Sequence, residues 1–186
     1  MLHTREAIVN AFIELLDEIP YNKITVKAIV ARCGINRNTF YYYFRDIPDL
    51  LESSAREWLR QCVRENFSFH SPMACLTPLV KYATAHRRAI LHLYRSMRRE
   101  DMLSGLEDMA VFVVHQYVQF ATEDLQIPAE DQLLMERYYK CLLVGAALDW
   151  LEHGMSYDLL SACTRICDLL AGSGRRAFLK CAEPEA

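Results

Sequence analysis

The sequence predicts an all-α fold of about nine helices, and three observations carry that prediction. Almost every long segment places apolar residues at helical spacing, and no stretch alternates apolar and polar residues as a half-buried strand would. The breaks between segments fall at helix-ending or helix-capping residues such as Pro20, Gly34, Asn36, Pro128 and Gly154. An apolar fraction of 52% over 186 residues supplies ample core. That length fits one compact unit or two small domains sharing an interface.

The first helix is expected from Thr4 to Ile19 and is closed by Pro20. Ile8, Phe12, Leu15 and Ile19 line its buried side, while Glu6, Glu14 and Asp17 read as an ordinary solvated face. Tyr21-Asn22-Lys23-Ile24 connects it to helix two, which Thr25 caps and whose inner face is Val26, Ile29 and Val30. Gly34 stands where a left-handed residue ends a helix, Ile35 plugs the turn, and Asn36 caps helix three. A helix, a short turn containing Gly and a second short helix describe a helix-turn-helix. In helix three, Phe40 and Phe44 share a face, and Arg37, Asn38, Tyr41 and Tyr42 point elsewhere.

Helix four is expected to open at Asp46, with Pro48 and Asp49 in its first turn, and to run to about Asn66. Its apolar stripe is Leu51, Ala55, Trp58, Leu59 and Cys62. Phe67 to Pro72 reads as a loop, and Thr77-Pro78 either kinks or restarts the next helix. Leu79 to Met97 is helical with a break near His86-Arg87-Arg88, Arg98 to Gly105 reads as a polar turn, and Leu106 to Leu125 as a central helix. Ala129 to His153 and Tyr157 to Ala171 complete the helices, with Arg175 to Ala186 expected to fray.

The net charge of −3 and pI of about 6.1 do not mark the whole chain as a polyanion binder. Charge is unevenly placed, however. Between Ile19 and Arg45 stand Lys23, Lys27, Arg32, Arg37 and Arg45 with no acid among them, a small electrostatic footprint suited to phosphate. The 7 cysteines show no CxxC spacing and read as free thiols of a reducing cytoplasm. The start of the chain reads as a helix and not as a signal peptide, and the longest apolar run, Cys141 to Leu148, is too short for a bilayer. No nucleophile motif, phosphate-cradling Gly-rich loop or metal-ligand spacing stands out, so neither an enzyme, a cofactor nor a metal is expected.

Thr4 to about Leu51 resembles the DNA-binding domain of the TetR family of bacterial regulators. The residues that carry the resemblance are Ile24-Thr25-Val26-Lys27-Ala28-Ile29, Cys33-Gly34-Ile35-Asn36 and Thr39-Phe40-Tyr41-Tyr42-Tyr43-Phe44. Chemistry and resemblance point the same way. Thr25 can offer its hydroxyl and nearby amides to a phosphate. Arg37 and Asn38 occupy the helix end that meets base edges, where Arg suits guanine and Asn suits adenine. The resemblance places Thr39 and Tyr43 at or near the bases and gives Tyr41 and Tyr42 to backbone phosphate. The expected DNA-contacting set is Thr25, Lys27, Asn36, Arg37, Asn38, Thr39, Tyr41, Tyr42, Tyr43 and Arg45. For the tyrosines the competing reading is packing between helices one and four. One departure stands out: where members usually carry a phosphate-binding Lys after helix three, this chain has Ile47.

The expected division is a DNA-binding domain over residues 1–50 and an effector-binding and dimerisation domain over 51–186. The resemblance implies a four-helix dimer bundle formed by the last two long helices. Leu142, Gly145, Ala146, Trp150, Leu160, Cys163 and Cys167 are its candidates here, against the alternative of a buried helix within one chain. Tyr82, His86, Tyr94, Met97, Met109, Phe112, His115 and Tyr117 could line a cavity for an apolar or aromatic effector, or simply be core. The function this implies is a cytoplasmic, homodimeric repressor that binds a double-stranded operator and responds to an unidentified small molecule. The alternatives are a co-regulator acting through a protein partner, a thiol sensor using Cys163 and Cys167, and a small helical enzyme.

Overall fold

The computed structural model describes residues 2–66, 72–170 and 172–182. Among these are ten α-helices, one 3₁₀ turn and no strand. The helices are α1 (Leu2–Glu18), α2 (Val26–Cys33), α3 (Arg37–Tyr43), α4 (Ile47–Asn66), α5 (Pro72–Ala85), α6 (Arg87–Ser96), α7 (Arg99–Ala121), α8 (Ala129–Glu152), α9 (Leu159–Leu169) and α10 (Ser173–Ala182). They form two compact units, one of Met1–Gln61 with Ala83–Gly105, the other of Cys62–Tyr82 with Leu106–Ala186.

The first unit closes around Ile8, Phe12, Leu15 and Leu16 of α1, Ile29 and Val30 of α2, Phe40, Phe44 and Leu50, with Ala89 of α6 among them. Burying a side chain such as Phe40, which is wholly inaccessible, stabilises by roughly 1.5–3 kcal/mol. Polar ties hold the helices in register. The Arg32 guanidinium forks onto both oxygens of Glu18 at 2.6 and 2.7 Å, joining α2 to α1. Arg5 pairs with Glu57 and lies 5.2 Å from the Phe44 ring centroid, joining α1 to α4 and to the end of α3.

Asp17 does more than face solvent, which corrects the expectation for that side of α1. His86, the residue before α6, gives no capping hydrogen bond, and the Asp17 carboxylate accepts the Ala89 amide at 3.0 Å instead. The Arg88 Nε–H reaches the Asp17 carbonyl at 3.3 Å, and His92 Nδ1 lies 2.6 Å from the Leu16 carbonyl. Helix α6 is thus capped across 72 residues of sequence by α1.

In the second unit, Val114 and Val118 of α7 and Phe178 of α10 form one core, with Tyr117 and Tyr139 packed on it. Trp150 is buried and donates its Nε1–H to the Tyr157 carbonyl at 3.0 Å. The Tyr157 hydroxyl donates to Asp149 at 2.7 Å, and this bond, with some burial, pushes its pKa up to about 12. Asp158 caps α9 by accepting the Ser161 amide at 3.0 Å.

Several expectations shift. The break at His86 is real, and α5 runs through Pro78 as one helix. Arg99 to Gly105 is helical, not a turn: Glu100 and Asp101 suit the positive end of α7, and Arg98, just before it, binds Asp101 at 2.9 Å. Residues 173–182 are not frayed but form α10, anchored by Phe178. A side chain at Gly174 would stand 2.9 Å from the Tyr139 hydroxyl, which would have to shift to admit it. The last four residues of the expected frayed tail, and residues 67–71 of the loop expected over Phe67 to Pro72, lie outside the described residues, while Pro72 opens α5.

Candidate nucleic-acid interface

The geometry of α2 and α3 follows from three local capping choices. Thr25 is extended (φ −128°, ψ 152°) and its Oγ1 accepts the Ala28 amide at 3.1 Å, which starts α2. Gly34 ends it at φ +69°, a left-handed conformation costly for any residue with a Cβ. Asn36 then starts α3, its Oδ1 accepting the Thr39 amide at 2.9 Å and the Thr39 hydroxyl at 3.1 Å. The same two caps fix the N-terminal ends of both helices, the ends at which free amides gather.

The two sides of α3 are chemically distinct. Phe40 and Phe44 are buried with ring centroids 5.9 Å apart. On the other side Arg37 and Asn38 are exposed and make no side-chain hydrogen bond or ion pair among the described residues. Tyr41 and Tyr42 are 55% and 70% accessible, too open to be core. Their rings rest edge-on against Phe40 and Tyr43 respectively. Tyr43 is half-buried and packs on the core. Thr39 is half-buried, and its hydroxyl is held by Asn36.

The basic stretch sorts into two groups. Lys23, Lys27 and Arg37 are exposed and unpaired among the described residues. Arg32 is committed to Glu18, with Glu14 3.7 Å away, and its hydrogen bond holds the Glu18 carboxyl below its usual range. Arg45 is held by Asp49, whose carboxylate accepts the Arg45 amide at 2.8 Å and the guanidinium at 3.2 Å. Those two bonds, amide first, pull Asp49 below the ordinary carboxylate range. Ile47 is half-buried against the core as the first residue of α4.

The other predicted residues lie in both units. Of the cavity set, His86, Tyr94 and Met97 belong to the first unit, and Tyr82, Met109, Phe112, His115 and Tyr117 to the second. His115 is half-exposed and bonded to Glu136 at 2.8 Å. Tyr117 lines an open groove of about 490 Å³ with Phe120, Asp124, Arg175 and Phe178.

Of the interface set, Leu142 and Gly145 are exposed on α8, Ala146, Leu160, Cys163 and Cys167 are half-buried, and Trp150 is turned inward. Burial raises both thiols, Cys163 and Cys167, above the ordinary thiol range, which disfavours the thiolate. Around them the structure exposes residues that the sequence reading did not single out. Leu134 and Tyr138 join Leu142 at every fourth position of α8, and Ile166 and Leu169 share one side of α9. That periodicity was present in the sequence as a signal, but apolar periodicity alone does not say whether a face is inside a chain or between chains.

Among the described residues there is no group of three or more His, Cys, Asp or Glu placed to hold a metal ion, and no helix long and apolar enough to cross a membrane. A capped two-helix motif with a polar, hydrogen-bonding outer side, followed by a helical C-terminal region, defines a DNA-binding transcriptional regulator. Residues 8–53 match the model of bacterial regulatory proteins of the tetR family, and residues 71–172 match that of a transcriptional regulator C-terminal region. The chain belongs to the TetR family of transcriptional regulators, whose domains are regulatory. Its fold is similar to that of a solved protein called the dihydroxyacetone kinase operon activator DhaS. The two share 17% identity at a TM-score of 0.76, over 96% of this chain and 99% of that one. No curated protein matches the chain.

Proposed function

We propose that this protein is a cytoplasmic homodimeric repressor that places α3 of each protomer in successive major grooves of a pseudo-palindromic operator and releases DNA when a small molecule binds. The observation that carries the DNA half is the outer side of α3, where Arg37, Asn38, Tyr41 and Tyr42 stand exposed between two helix caps. Arg37 and Asn38 are assigned to base edges, and Tyr41, Tyr42, Thr25 and Lys27 to phosphates. Thr39 and Tyr43 are assigned to the bases with less of their surface free, and Asn36 acts mainly by setting the helix. The exposed apolar sides of α8 and α9 support a dimer, since faces of that kind are costly in water. The effector cavity is assigned to the α7 residues Met109, Phe112 and Tyr117 with their neighbours. The DNA contacts are assigned to residues 1–50 and the effector and dimer contacts to residues 51–186, while the compact unit that carries the DNA contacts also takes in residues 83–105.

Fluorescence-anisotropy titration with the DNA upstream of the protein's own gene tests this. Sequence-preferring binding that weakens with salt is expected, with two half-sites about 34–36 Å apart. Binding without sequence preference and without steep salt dependence would sink it. A second reading has one observation in its favour: the similar structure is named an operon activator. Under that reading the same DNA contacts recruit instead of block, or act with a partner protein. A transcription assay on the operator separates the two, because a repressor lowers the basal signal and an activator raises it.

A further inference from the structure

We propose that Asp49 is a specificity-determining residue of the DNA-binding unit: by holding Arg45 it withholds a cation that would otherwise grip phosphate on any sequence. The inference rests on the DNA-binding reading above and concerns how its affinity is divided. Arg45 lies at the end of α3, directly after Phe44 and outside the core, with 83% of its side chain accessible. Nothing about its position keeps it from a phosphate. What restrains it is Asp49, which grips it twice, through the amide at 2.8 Å and through Nη2 at 3.2 Å. The carboxylate itself is only 22% accessible, so it is anchored while the guanidinium is not. Asp46 and Glu52 add negative charge near Arg45.

An exposed ion pair of this kind is weak by itself. Its effect on DNA does not depend on its strength. If a phosphate draws the guanidinium away, Asp49 is left as an unpaired carboxylate facing that same phosphate. If the pair stays closed, Arg45 contributes no counterion release. Either way the net cationic contribution of the pair is near zero. Ile47, apolar and half-buried against the core, offers no second cation at the same place. The end of α3 is therefore electrostatically quiet, and the unpaired charge left in the stretch is Lys23, Lys27 and Arg37. Contacts that read bases are kept, and contacts that hold any duplex are reduced.

The test is the salt dependence of binding, measured by anisotropy on the operator and on a scrambled duplex, for the wild type, Asp49→Asn, Arg45→Gln and the double variant. Asn keeps an oxygen for the Arg45 amide, so α4 can still start, and thermal melts confirm the fold. Freeing Arg45 adds about 0.9 to the magnitude of the log–log salt slope per protomer, hence about 1.8 for a dimer. The expected result is that Asp49→Asn steepens the slope by that amount, tightens the scrambled duplex more than the operator in relative terms, and loses both effects when Arg45→Gln is added. Unchanged slopes in Asp49→Asn, or a gain that survives Arg45→Gln, overturn the inference and leave the regulator reading intact. A wild type that binds neither duplex overturns the regulator reading itself, and the inference with it.

Discussion

The outer side of α3 and the outer sides of α8 and α9 are both exposed, yet they are built from different chemistry. On α3 the exposed residues are Arg37, Asn38, Tyr41 and Tyr42, each ending in a hydrogen-bonding group. On α8 and α9 the exposed residues include large apolar or aromatic ones, Leu134, Tyr138, Leu142, Ile166 and Leu169, with Leu169 67% accessible. A polar surface with directed donors suits a partner that keeps its water and its charge, such as duplex DNA. An apolar surface at helical spacing suits a partner that gives up water, such as a second copy of the same helices. Exposure alone therefore distinguishes nothing; what is exposed does.

The sharpest way to break this comparison is to invert the two sides of α3. Phe40→Ala, on the inner side, should cost about 3–5 kcal/mol of stability in urea melts, whereas substitutions on the outer side should cost almost none. Equal costs would mean that the outer side is core after all. Next in size, Leu142→Glu should weaken dimerisation about a hundredfold in sedimentation equilibrium without lowering the melting temperature of the monomer. A monomeric wild type would remove the contrast altogether.

On the DNA side, Arg37→Ala and Asn38→Ala should each cost about 1–3 kcal/mol on the preferred operator and much less on duplexes altered at one position, read from a panel of single-base variants. Tyr41→Phe should cost about 0.5–1.5 kcal/mol and do so evenly across the panel. An even loss for all three variants would erase the distinction between base and phosphate contacts. The smallest effect concerns pH. The folded-state pKa of Glu18 is depressed by Arg32, so its contribution is complete above the ordinary glutamate range and is lost as pH falls through the lower folded value. Glu18→Gln should accordingly flatten the acid limb of the stability curve slightly and leave the neutral region unchanged.

What could be read from the sequence divides by distance along the chain. Thr25, Gly34 and Asn36 act on groups within a few residues, so the caps and the turn were visible directly, and with them the inner position of Phe40 and Phe44. Helix α10 was missed because its anchor is remote: Phe178 meets Val114, Val118 and Tyr139, and nothing near residue 178 signals that. Helical Arg99 to Gly105 was missed because its polar composition resembles a turn, while its order comes from acids at a helix start. Asp17 looked solvated because its partner, Ala89, is 72 positions away. For the candidate site, residue identity named the outer side of α3, but the pairing that separates Arg45 from Arg37 needed coordinates.

The cap that Asp17 gives α6 has a consequence for any attempt to transplant the DNA-reading part of this protein. A segment cut after Gln61 would take the helix-turn-helix with it and leave behind the α6 residues that cover α1. Asp17 and the Leu16 carbonyl would then face water, and the apolar surface under Ala89 and Leu93 would be bared. The exchangeable cassette is discontinuous: it needs residues 83–105 as well as the first sixty-one. A chimera that grafts only the N-terminal stretch onto a foreign sensor inherits the reading head without its backing plate.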